Sequence, residues 1–440
     1  MKALTNFFVR LVQRFLPDAF IFAIILTFLV FLMGILFTES GPVEMVSHWG
    51  TGFWDLLAFT MQMSLVVVTG YVLANAPVIK NFLARLSKMA KTPAHAVMLV
   101  TFVSAIACLI NYGFGLVVGA LFAIHVARQV PSADFRILVA GAYSGFLVWH
   151  GGFSGSIPLT VATPGHFLEE KMGVIPVVET LFSPANLFIV AALVVTLPIF
   201  NRFLMKSSNM LDQDRSGWVV PDDNVSTKDV VTPSTPAEKI ENSVIVSMLI
   251  GIMGLSFIVY HFVTKGFDLN INIVNFIFLF LGIMLHKTPK QFLNTVTNGV
   301  KNAGGIIIQF PFYAGIMGMV TLSGMSEQMA LWFVSFANDQ TLPFFSFISG
   351  GLINVFVPSG GGQWAVQGPI MIEAAAKINA DLAKTAVGVA WGDAWTNMIQ
   401  PFWALPALAI AGLHIRDIMG FCVMILLYSF IPITIGLLLF

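Results

Sequence analysis

The stretch Asn354-Val-Phe-Val-Pro358-Ser359-Gly360-Gly361-Gly362-Gln363 places a proline, a serine and three consecutive glycines inside a long uncharged region. No Asp, Glu, Lys or Arg occurs between Gln340 and Ile372, which is typical of a membrane interior. A membrane tolerates interrupted backbone only where protein or a water-filled cavity covers the freed N–H and C=O groups. The stretch therefore predicts a broken transmembrane segment that lines a binding site, as in transporters.

The composition indicates an all-α polytopic membrane protein. Of the 440 residues, 57% are hydrophobic and 10% are charged, whereas soluble domains carry about 25% charged residues. Uncharged runs long enough to cross about 30 Å of hydrocarbon recur along the chain, and they are too continuous for an outer-membrane barrel. Examples are Ala19 to Thr38, Thr180 to Asn201, Asn242 to Thr264 and Ile418 to Phe440. The predicted surroundings are a lipid bilayer, and a formal net charge of zero gives no support for a nucleic-acid partner.

The positions of basic residues predict the orientation of the chain. Lys2, Arg10 and Arg14 precede the first span, and no small-residue cleavage site of a signal peptide follows them. We therefore expect a retained, cytoplasmic N-terminus, a periplasmic C-terminus and a location in the bacterial cytoplasmic (inner) membrane.

An internal repeat divides the sequence into two halves. We predict a first repeat over residues 1–204, a cytoplasmic linker over 205–241, a connecting helix over 242–264 and a second repeat of inverted topology over 265–440. Gln62 corresponds to Gln309, and Leu109-Ile110-Asn111 corresponds to Leu352-Ile353-Asn354. Each half has two spans, an uncharged helical hairpin, a Gly-rich helix break and a final span. Carriers with inverted repeats place substrate and coupling ion near the midplane, where the broken segments meet.

Glycines and small polar residues near the breaks are the candidate substrate ligands. Glycine lets a ligand approach the backbone, and the N-termini of half-helices attract anions. The predicted substrate-binding residues are Asn111, Gly113, Ser154, Ser156, Asn354, Ser359, Gly360, Gly361, Gly362 and Gln363. No Lys or Arg occurs from Thr92 to Ala127, from Ile137 to Glu170, from Asn302 to Ala376 or from Thr385 to Ile415. The predicted substrate is therefore a short monocarboxylate rather than a dicarboxylate or tricarboxylate.

Asp393 is the candidate for binding a coupling ion, because an acidic residue within a span is costly. It lies in Trp391-Gly-Asp-Ala-Trp-Thr-Asn397, close to Thr396 and Asn397. This set either holds Na+ together with backbone carbonyls or carries H+, and the alternative is a structural Asp that is hydrogen-bonded to backbone. His150 adjoins the first break and is either a proton carrier or substrate ligand, or a packed histidine. We predict no cofactor and no metal site, because the histidines have no nearby Cys or Glu partner.

Six motifs resemble the bacterial short-chain fatty acid transporter family. They are Gly113-Phe-Gly-Leu-Val-Val-Gly119, Gly151-Gly-Phe-Ser-Gly-Ser156, Leu285-His-Lys-Thr-Pro289, Gln309-Phe-Pro-Phe-Tyr-Ala-Gly315, Val357-Pro-Ser-Gly-Gly-Gly362 and Gln400-Pro-Phe-Trp-Ala-Leu-Pro-Ala-Leu-Ala-Ile-Ala-Gly412. The resemblance covers nearly the full length and implies a carrier for monocarboxylates such as acetoacetate and butyrate. The wider ion transporter superfamily, which this family resembles, implies inverted repeats, hairpins and elevator motion. Two positions depart from the family pattern: residue 393 is Asp where the pattern has Glu, and residue 150 is His where it has Gly.

The predicted function is import of a short-chain fatty acid by secondary active transport, in symport with H+ or Na+. One alternative is a carrier for hydroxy acids or C4-dicarboxylates, and another is a passive channel. A third is an intramembrane hydrolase that uses Ser154 or Ser156 with His150, although no protease motif is visible. By analogy with elevator carriers, which are often dimers or trimers, a homo-oligomer is compatible with this class.

Overall fold

The computed structural model describes residues 19–211, 235–355, 357–400 and 402–440. The regular structure in these ranges is helical, without a β-strand, and eight of their helices are long and apolar enough to cross a membrane. The prediction of an all-α polytopic membrane protein is confirmed. The basic N-terminal segment, most of the predicted linker and Pro401 lie outside the described residues.

The first half contains a helical hairpin followed by a broken segment. Its helices are α1 (Ala19–Phe37), α2 (Pro42–Gly52), α3 (Leu57–Ala74), α4 (Pro77–Leu86), α5 (Pro93–Ile110), α6 (Tyr112–Gln129), α7 (Phe135–Ser144), α8 (Ser156–Val161), α9 (Glu169–Met172) and α10 (Pro184–Leu211). Asn111 alone joins α5 to α6, and its extended backbone lets its side-chain oxygen accept the N–H of Phe114. This N-cap explains why the hairpin turns at an asparagine.

The second half repeats this order of elements. Two helices of the linker and connecting segment precede it, α11 (Pro236–Glu241) and α12 (Val244–Lys265), and its own helices are α13 (Ile271–Leu285), α14 (Pro289–Val300), α15 (Gly304–Leu322), α16 (Met325–Val334), α17 (Leu342–Asn354), α18 (Gly360–Ile378), α19 (Leu382–Thr396), α20 (Ala404–Ala411) and α21 (Ile415–Leu439). Helices α17 and α18 form the second hairpin, and Ser359 is the N-cap of α18. Both predicted hairpins and both predicted helix breaks are present.

Helix packing is reciprocal between the halves. Helices α1 and α2 pack on α15, and their counterparts α13 and α14 pack on α3. Within the halves, α3 packs on α6, and α15 packs on α18. This arrangement is what two structurally related repeats would give, whereas their opposite orientation in the membrane stays a prediction.

The first break requires glycine at two positions where neighbouring backbone leaves no room for a side chain. Helix α7 runs into a 3₁₀ turn, Gly145–Gly151, and the chain then continues in non-helical backbone to α8. A Cβ atom at Gly152 would overlap the backbone of Leu109, and one at Gly155 would overlap the carbonyl of His150. The backbone N–H of Phe153 donates to the Leu109 carbonyl oxygen at 2.7 Å, which holds the break against the end of α5.

Candidate functional site

The two helix breaks meet at a buried pair formed by His150 and Asp393. His150 lies in the 3₁₀ turn of the first half, and Asp393 lies in the last turn of α19. Nε2 of His150 is 3.1 Å from Oδ2 of Asp393, and neither side chain is exposed to solvent. Each half of the protein therefore supplies one member of the pair.

The second hairpin is attached to this pair through Asn354. Its Nδ2 lies 2.9 Å from the Asp393 carbonyl oxygen, 3.0 Å from Thr396 Oγ1 and 3.0 Å from Asn397 Oδ1. Nδ2 of Asn397 in turn donates to Asp393 Oδ2 at 3.3 Å. The three residues predicted to bind the coupling ion thus form one cluster, and Asn354, which we predicted as a substrate ligand, joins them.

The N-terminus of α18 lies directly against His150. A Cβ atom at Gly360 would overlap the imidazole and would lie 2.6 Å from Ser156 Oγ. Cβ atoms at Gly361 and Gly362 would come within 2.6 Å of the Phe59 ring and 2.5 Å of the Tyr313 ring, respectively. The glycine run therefore brings bare backbone into contact with the pair. The N–H groups of Gly360 and Gly361 have no acceptor within α18, because the first residues of a helix lack a preceding turn.

Several polar atoms beside the pair have no hydrogen-bond partner among the described residues. They are Asp393 Oδ1, His150 Nδ1, Ser156 Oγ and Asn354 Oδ1, all of them buried. A buried polar group without a partner costs about 1–3 kcal/mol, and native proteins contain few of them. Four such atoms at and beside one His–Asp pair are typical of a site that binds a polar ligand.

The first hairpin tip lies against α3. Nδ2 of Asn111 donates to the Val66 carbonyl oxygen at 3.3 Å, and a Cβ atom at Gly113 would lie 3.2 Å from the Val67 carbonyl oxygen. The N–H of Tyr112 donates to Ser154 Oγ at 2.8 Å, so this hydroxyl supports the hairpin. Asn111 and Asn354 therefore have matching places in the sequence but different neighbours.

Gln363 lies inside the second hairpin. Its Nε2 donates to the Gly350 carbonyl oxygen at 2.9 Å and to Gln367 Oε1 at 3.0 Å. Ser359 Oγ accepts the N–H of Gly362 at 3.5 Å as the helix cap. Both polar side chains consequently stabilise the hairpin, and Gln363 Oε1 is buried without a partner in the described part of the chain.

Two cavities lie at opposite ends of α3. The larger, of about 500 Å³, is lined by residues that include Tyr71, Tyr112, Gly113, Asn302 and Trp403. The smaller, of about 120 Å³, is lined by residues that include Asp55, Phe59, Gln62, Thr160 and His166. Trp149 lies between the larger cavity and the pair, since its ring centroid is 4.8 Å from that of Tyr112 and 3.7 Å from that of His150. Phe59 packs between the smaller cavity and Gly361.

The comparisons with known proteins concern the whole chain. The family model described as short chain fatty acid transporter matches residues 1–440. A protein of Escherichia coli (strain K12), provisionally named a short-chain fatty acid transporter, is 47% identical over 438 residues, which cover 99% of each chain. A protein of the same provisional name from Haemophilus influenzae is 45% identical over 444 residues, again with 99% of each chain covered. The chain belongs to the short-chain fatty acid transporter family.

The solved structure of the YdaH transporter from Alcanivorax borkumensis has a related fold. The TM-score is 0.59 at 15% sequence identity, and the match covers 96% of this chain and 97% of that one. That structure is described as having an unusual topology. Membership in the short-chain fatty acid transporter family confirms the predictions of a multi-pass membrane transporter and of a protein that is not an enzyme, so the intramembrane hydrolase is set aside.

The sequence analysis missed two residues that hold the site together. The Tyr143 hydroxyl donates to the Asn397 carbonyl oxygen at 2.7 Å. Nδ2 of Asn186 donates to the Gly151 carbonyl oxygen at 3.3 Å, and its Oδ1 accepts the indole N–H of Trp391 at 3.0 Å. Asn186 thereby joins the first break to α19. An amide side chain within the uncharged Thr180 to Asn201 run was its signal, whereas Tyr143 gave none, since a tyrosine in an apolar segment is typical of packing.

Proposed function

We propose that this protein imports short-chain monocarboxylates, such as acetoacetate and butyrate, in symport with H+ or Na+. The observation that carries the proposal is the N-terminus of α18, where Gly360 lies beside Ser156 and His150 and the first backbone N–H groups have no acceptor within the helix. Half-helix N-termini attract carboxylates through their free N–H groups and the helix dipole. The Ser156 hydroxyl, a buried donor without a described partner, supplies a further hydrogen bond to the substrate carboxylate.

The neighbouring Asp393 supports cation coupling. In a conformation in which the α18 N-terminus has moved away from His150 to admit substrate, a carboxylate at Gly360 lies close to the buried Asp393 carboxylate, and two like charges repel strongly where the dielectric constant is low. Substrate binding therefore requires an additional cation, either a proton on the pair or Na+ beside it. A carrier that binds its anion only with a cation is a symporter.

The charge and shape of the surroundings favour a monocarboxylate. No Lys or Arg occurs near either break in the sequence, from Ile137 to Glu170 or from Thr385 to Ile415, to offset a second carboxylate. The rings of Phe59, Tyr313 and Trp149 provide an apolar wall for a short hydrocarbon chain. A C4-dicarboxylate would leave a second charged group against these rings, which costs free energy.

We also infer two inverted repeats, residues 1–204 and 265–440, that move as an elevator in the bacterial cytoplasmic membrane. The recurring order of elements and the reciprocal packing of α1 and α2 on α15, and of α13 and α14 on α3, support this inference. Basic residues in the predicted cytoplasmic loops, such as Lys80, Arg85 and Lys88 after α3, support a cytoplasmic N-terminus and a periplasmic C-terminus. Homo-oligomerisation remains an inference from this class of carrier.

Counterflow in proteoliposomes tests the substrate class. Vesicles containing the purified protein are loaded with unlabelled acetoacetate, butyrate, lactate or succinate, and the entry of labelled acetoacetate is followed. Protein-free vesicles measure the diffusion of the neutral acid, which is subtracted. We expect saturable exchange with acetoacetate and butyrate and at least tenfold slower exchange with succinate. Faster exchange with succinate or lactate than with butyrate would overturn the assignment to short-chain fatty acids.

A further inference from the structure

We propose that His150 and Asp393 together form the proton-binding site of the carrier, so that H+ and not Na+ is the coupling ion. The inference rests on the proposed symport of a monocarboxylate and assigns its ion and a second coupling residue, His150. It is carried by the atoms that surround the Asp393 carboxylate, by the charges that face the pair and by the position of Gly360.

Two nitrogen donors lie at one oxygen of the Asp393 carboxylate, and a third lies at the Asp393 backbone carbonyl oxygen. His150 Nε2 lies 3.1 Å and Asn397 Nδ2 lies 3.3 Å from Asp393 Oδ2, and Asn354 Nδ2 lies 2.9 Å from the Asp393 carbonyl oxygen. The Asn397 amide is oriented by its own Oδ1, which accepts from Asn354. Hard cations such as Na+ require a shell of oxygen ligands. N–H groups at these positions stabilise the negative charge of the carboxylate, and they cannot act as ligands to a metal ion.

Within the described ranges, no third His, Cys, Asp or Glu side chain joins the pair to form a metal-binding cluster. The hydroxyl of Thr396, the nearest oxygen ligand that we predicted, donates to the Gly351 carbonyl oxygen at 2.9 Å. The nitrogen donors at Asp393 Oδ2 therefore favour a proton at the pair, while the unpartnered oxygens Asp393 Oδ1, Asn354 Oδ1 and Ser156 Oγ make Na+ the alternative that the first test below decides.

Among the described side chains at and around the pair, His150 is the one that becomes positively charged when it binds a proton. The titratable groups on the elements packed around it are Cys108 (α5), Tyr112 (α6), Tyr143 (α7) and Cys422 (α21). The groups from α8, α10, α17 and α18 are Ser156, Asn186, Asn354 and Ser359, none of which titrates. A thiol or a phenol becomes negative when it loses a proton, so only the imidazole gains a positive charge by binding one.

Protonation of His150 keeps the charge of the site constant. In the proposed cycle, the substrate-free site carries the charge of one carboxylate, minus one. When one proton binds at the unpartnered Nδ1 of His150 and one monocarboxylate binds at Gly360, the imidazolium, Asp393 and substrate again sum to minus one. One H+ and one anion then cross together without net charge movement. The contact between Gly360 and the imidazole is what lets the bound proton attract the bound substrate.

Wild-type protein in sodium-free proteoliposomes gives the first test. An inward proton gradient is imposed in choline buffer with the membrane potential clamped, and labelled acetoacetate and internal pH are recorded. Acetoacetate is the probe because it is a stronger acid than butyrate and diffuses less as the neutral form. We expect saturable accumulation with one proton entering per acetoacetate, above the protein-free background. Accumulation that requires Na+ and leaves internal pH unchanged would overturn the inference.

Substitutions at the pair give the second test, read as a pH profile. Counterflow at equal internal and external pH should accelerate as pH falls in the wild type and become independent of pH in His150→Gln, with a rate at least tenfold lower at the acidic end. Asp393→Asn should lose gradient-driven accumulation. His95→Gln and Asp339→Asn, which change exposed residues, are the matched controls and should retain the wild-type profile. A wild-type pH profile in folded His150→Gln would overturn the role of His150.

The two tests separate this inference from the proposed function. Absence of saturable acetoacetate exchange in the wild type would overturn the proposed function itself. Exchange that is present but driven by a sodium gradient would overturn only the proton site. If His150→Gln does not purify as a folded protein, proton entry with the wild type decides between H+ and Na+, and Asp393→Asn tests the pair.

Discussion

Replacing Gly360 with alanine tests whether the contact between α18 and His150 is required for transport. The added Cβ would overlap the imidazole and lie 2.6 Å from Ser156 Oγ, whereas ordinary contacts begin at 3.4 Å. The ring cannot move aside, because it is fully buried, is 3.1 Å from the Asp393 carboxylate and packs on Trp149 with 3.7 Å between the ring centroids. The end of α18 must therefore shift by about 0.8 Å, the difference between ordinary contact and the distance to Ser156.

The size of the effect follows from the cost of overpacking. An extra methyl group in a well-packed interior costs about 1–3 kcal/mol, and each 1.4 kcal/mol is a factor of about ten in an equilibrium constant. Because the strain falls on the proposed binding surface, we expect acetoacetate exchange by Gly360→Ala to decrease by about 10-fold to 100-fold. The loss should appear mainly as a higher KM, since the N–H groups that face the substrate are displaced.

Counterflow in proteoliposomes measures this loss, and Gly50→Ala is the matched control. Gly50 lies in α2, is exposed and has open space where the methyl group of alanine would lie, so this substitution should leave transport unchanged. Size-exclusion chromatography and thermal unfolding in detergent establish that both variants fold. Exchange by folded Gly360→Ala within twofold of the wild type would refute the assignment of the α18 N-terminus as the binding surface.

Three further predictions concern Asn354, the His150–Asp393 pair and His166. Asn354→Ala removes the amide that lies near three oxygen atoms and should lower the free energy of unfolding by about 1–3 kcal/mol in thermal unfolding, whereas Asn294→Ala on an exposed helix face should not. The double variant His150→Gly with Asp393→Glu reproduces the family pattern. Because the Glu side chain is one methylene longer, the double variant should exchange acetoacetate faster than either single variant. Losses of exchange that simply add in the double variant would contradict an interaction between the two positions. His166 lies in the connection between α8 and α9, and burial lowers its pKa from the ordinary 6.5. The free energy of unfolding should therefore decrease as pH falls from above 6.5 through the lowered pKa. In His166→Gln, thermal unfolding should show a smaller decrease over the same pH range.

The helices and the hairpin tips could be predicted from the sequence because their signals are local. Uncharged runs define spans through the cost of burying charge, and the run from Ile418 to Phe440 became α21, Ile415–Leu439. Asparagine is a preferred N-cap, and Asn111 caps α6. Pro358 and the glycines after Ser359 likewise indicated where the second hairpin turns.

The pairing of His150 with Asp393 could not be predicted, since it depends on how the two halves pack. Nothing local distinguishes a proton-carrying histidine from a packed one, and both alternatives were open for His150. The same limit applies to Ser154 and Gln363, whose polar atoms hydrogen-bond within the scaffold. A small polar residue near a break can hydrogen-bond either to the backbone or to a ligand, and only the tertiary contacts show which of the two it does.

The position of the α18 N-terminus explains why substrate and ion would act on the same elements. Gly360 contacts the first break at His150 and Ser156, and the next two glycines contact the rings of Phe59 on α3 and Tyr313 on α15. The same hairpin carries Asn354, which lies near three oxygens at the end of α19. A movement of the hairpin must therefore change the surroundings of the anion and of Asp393 together. Binding of one ligand can then favour the conformation that binds the other, which is the physical condition for coupled transport.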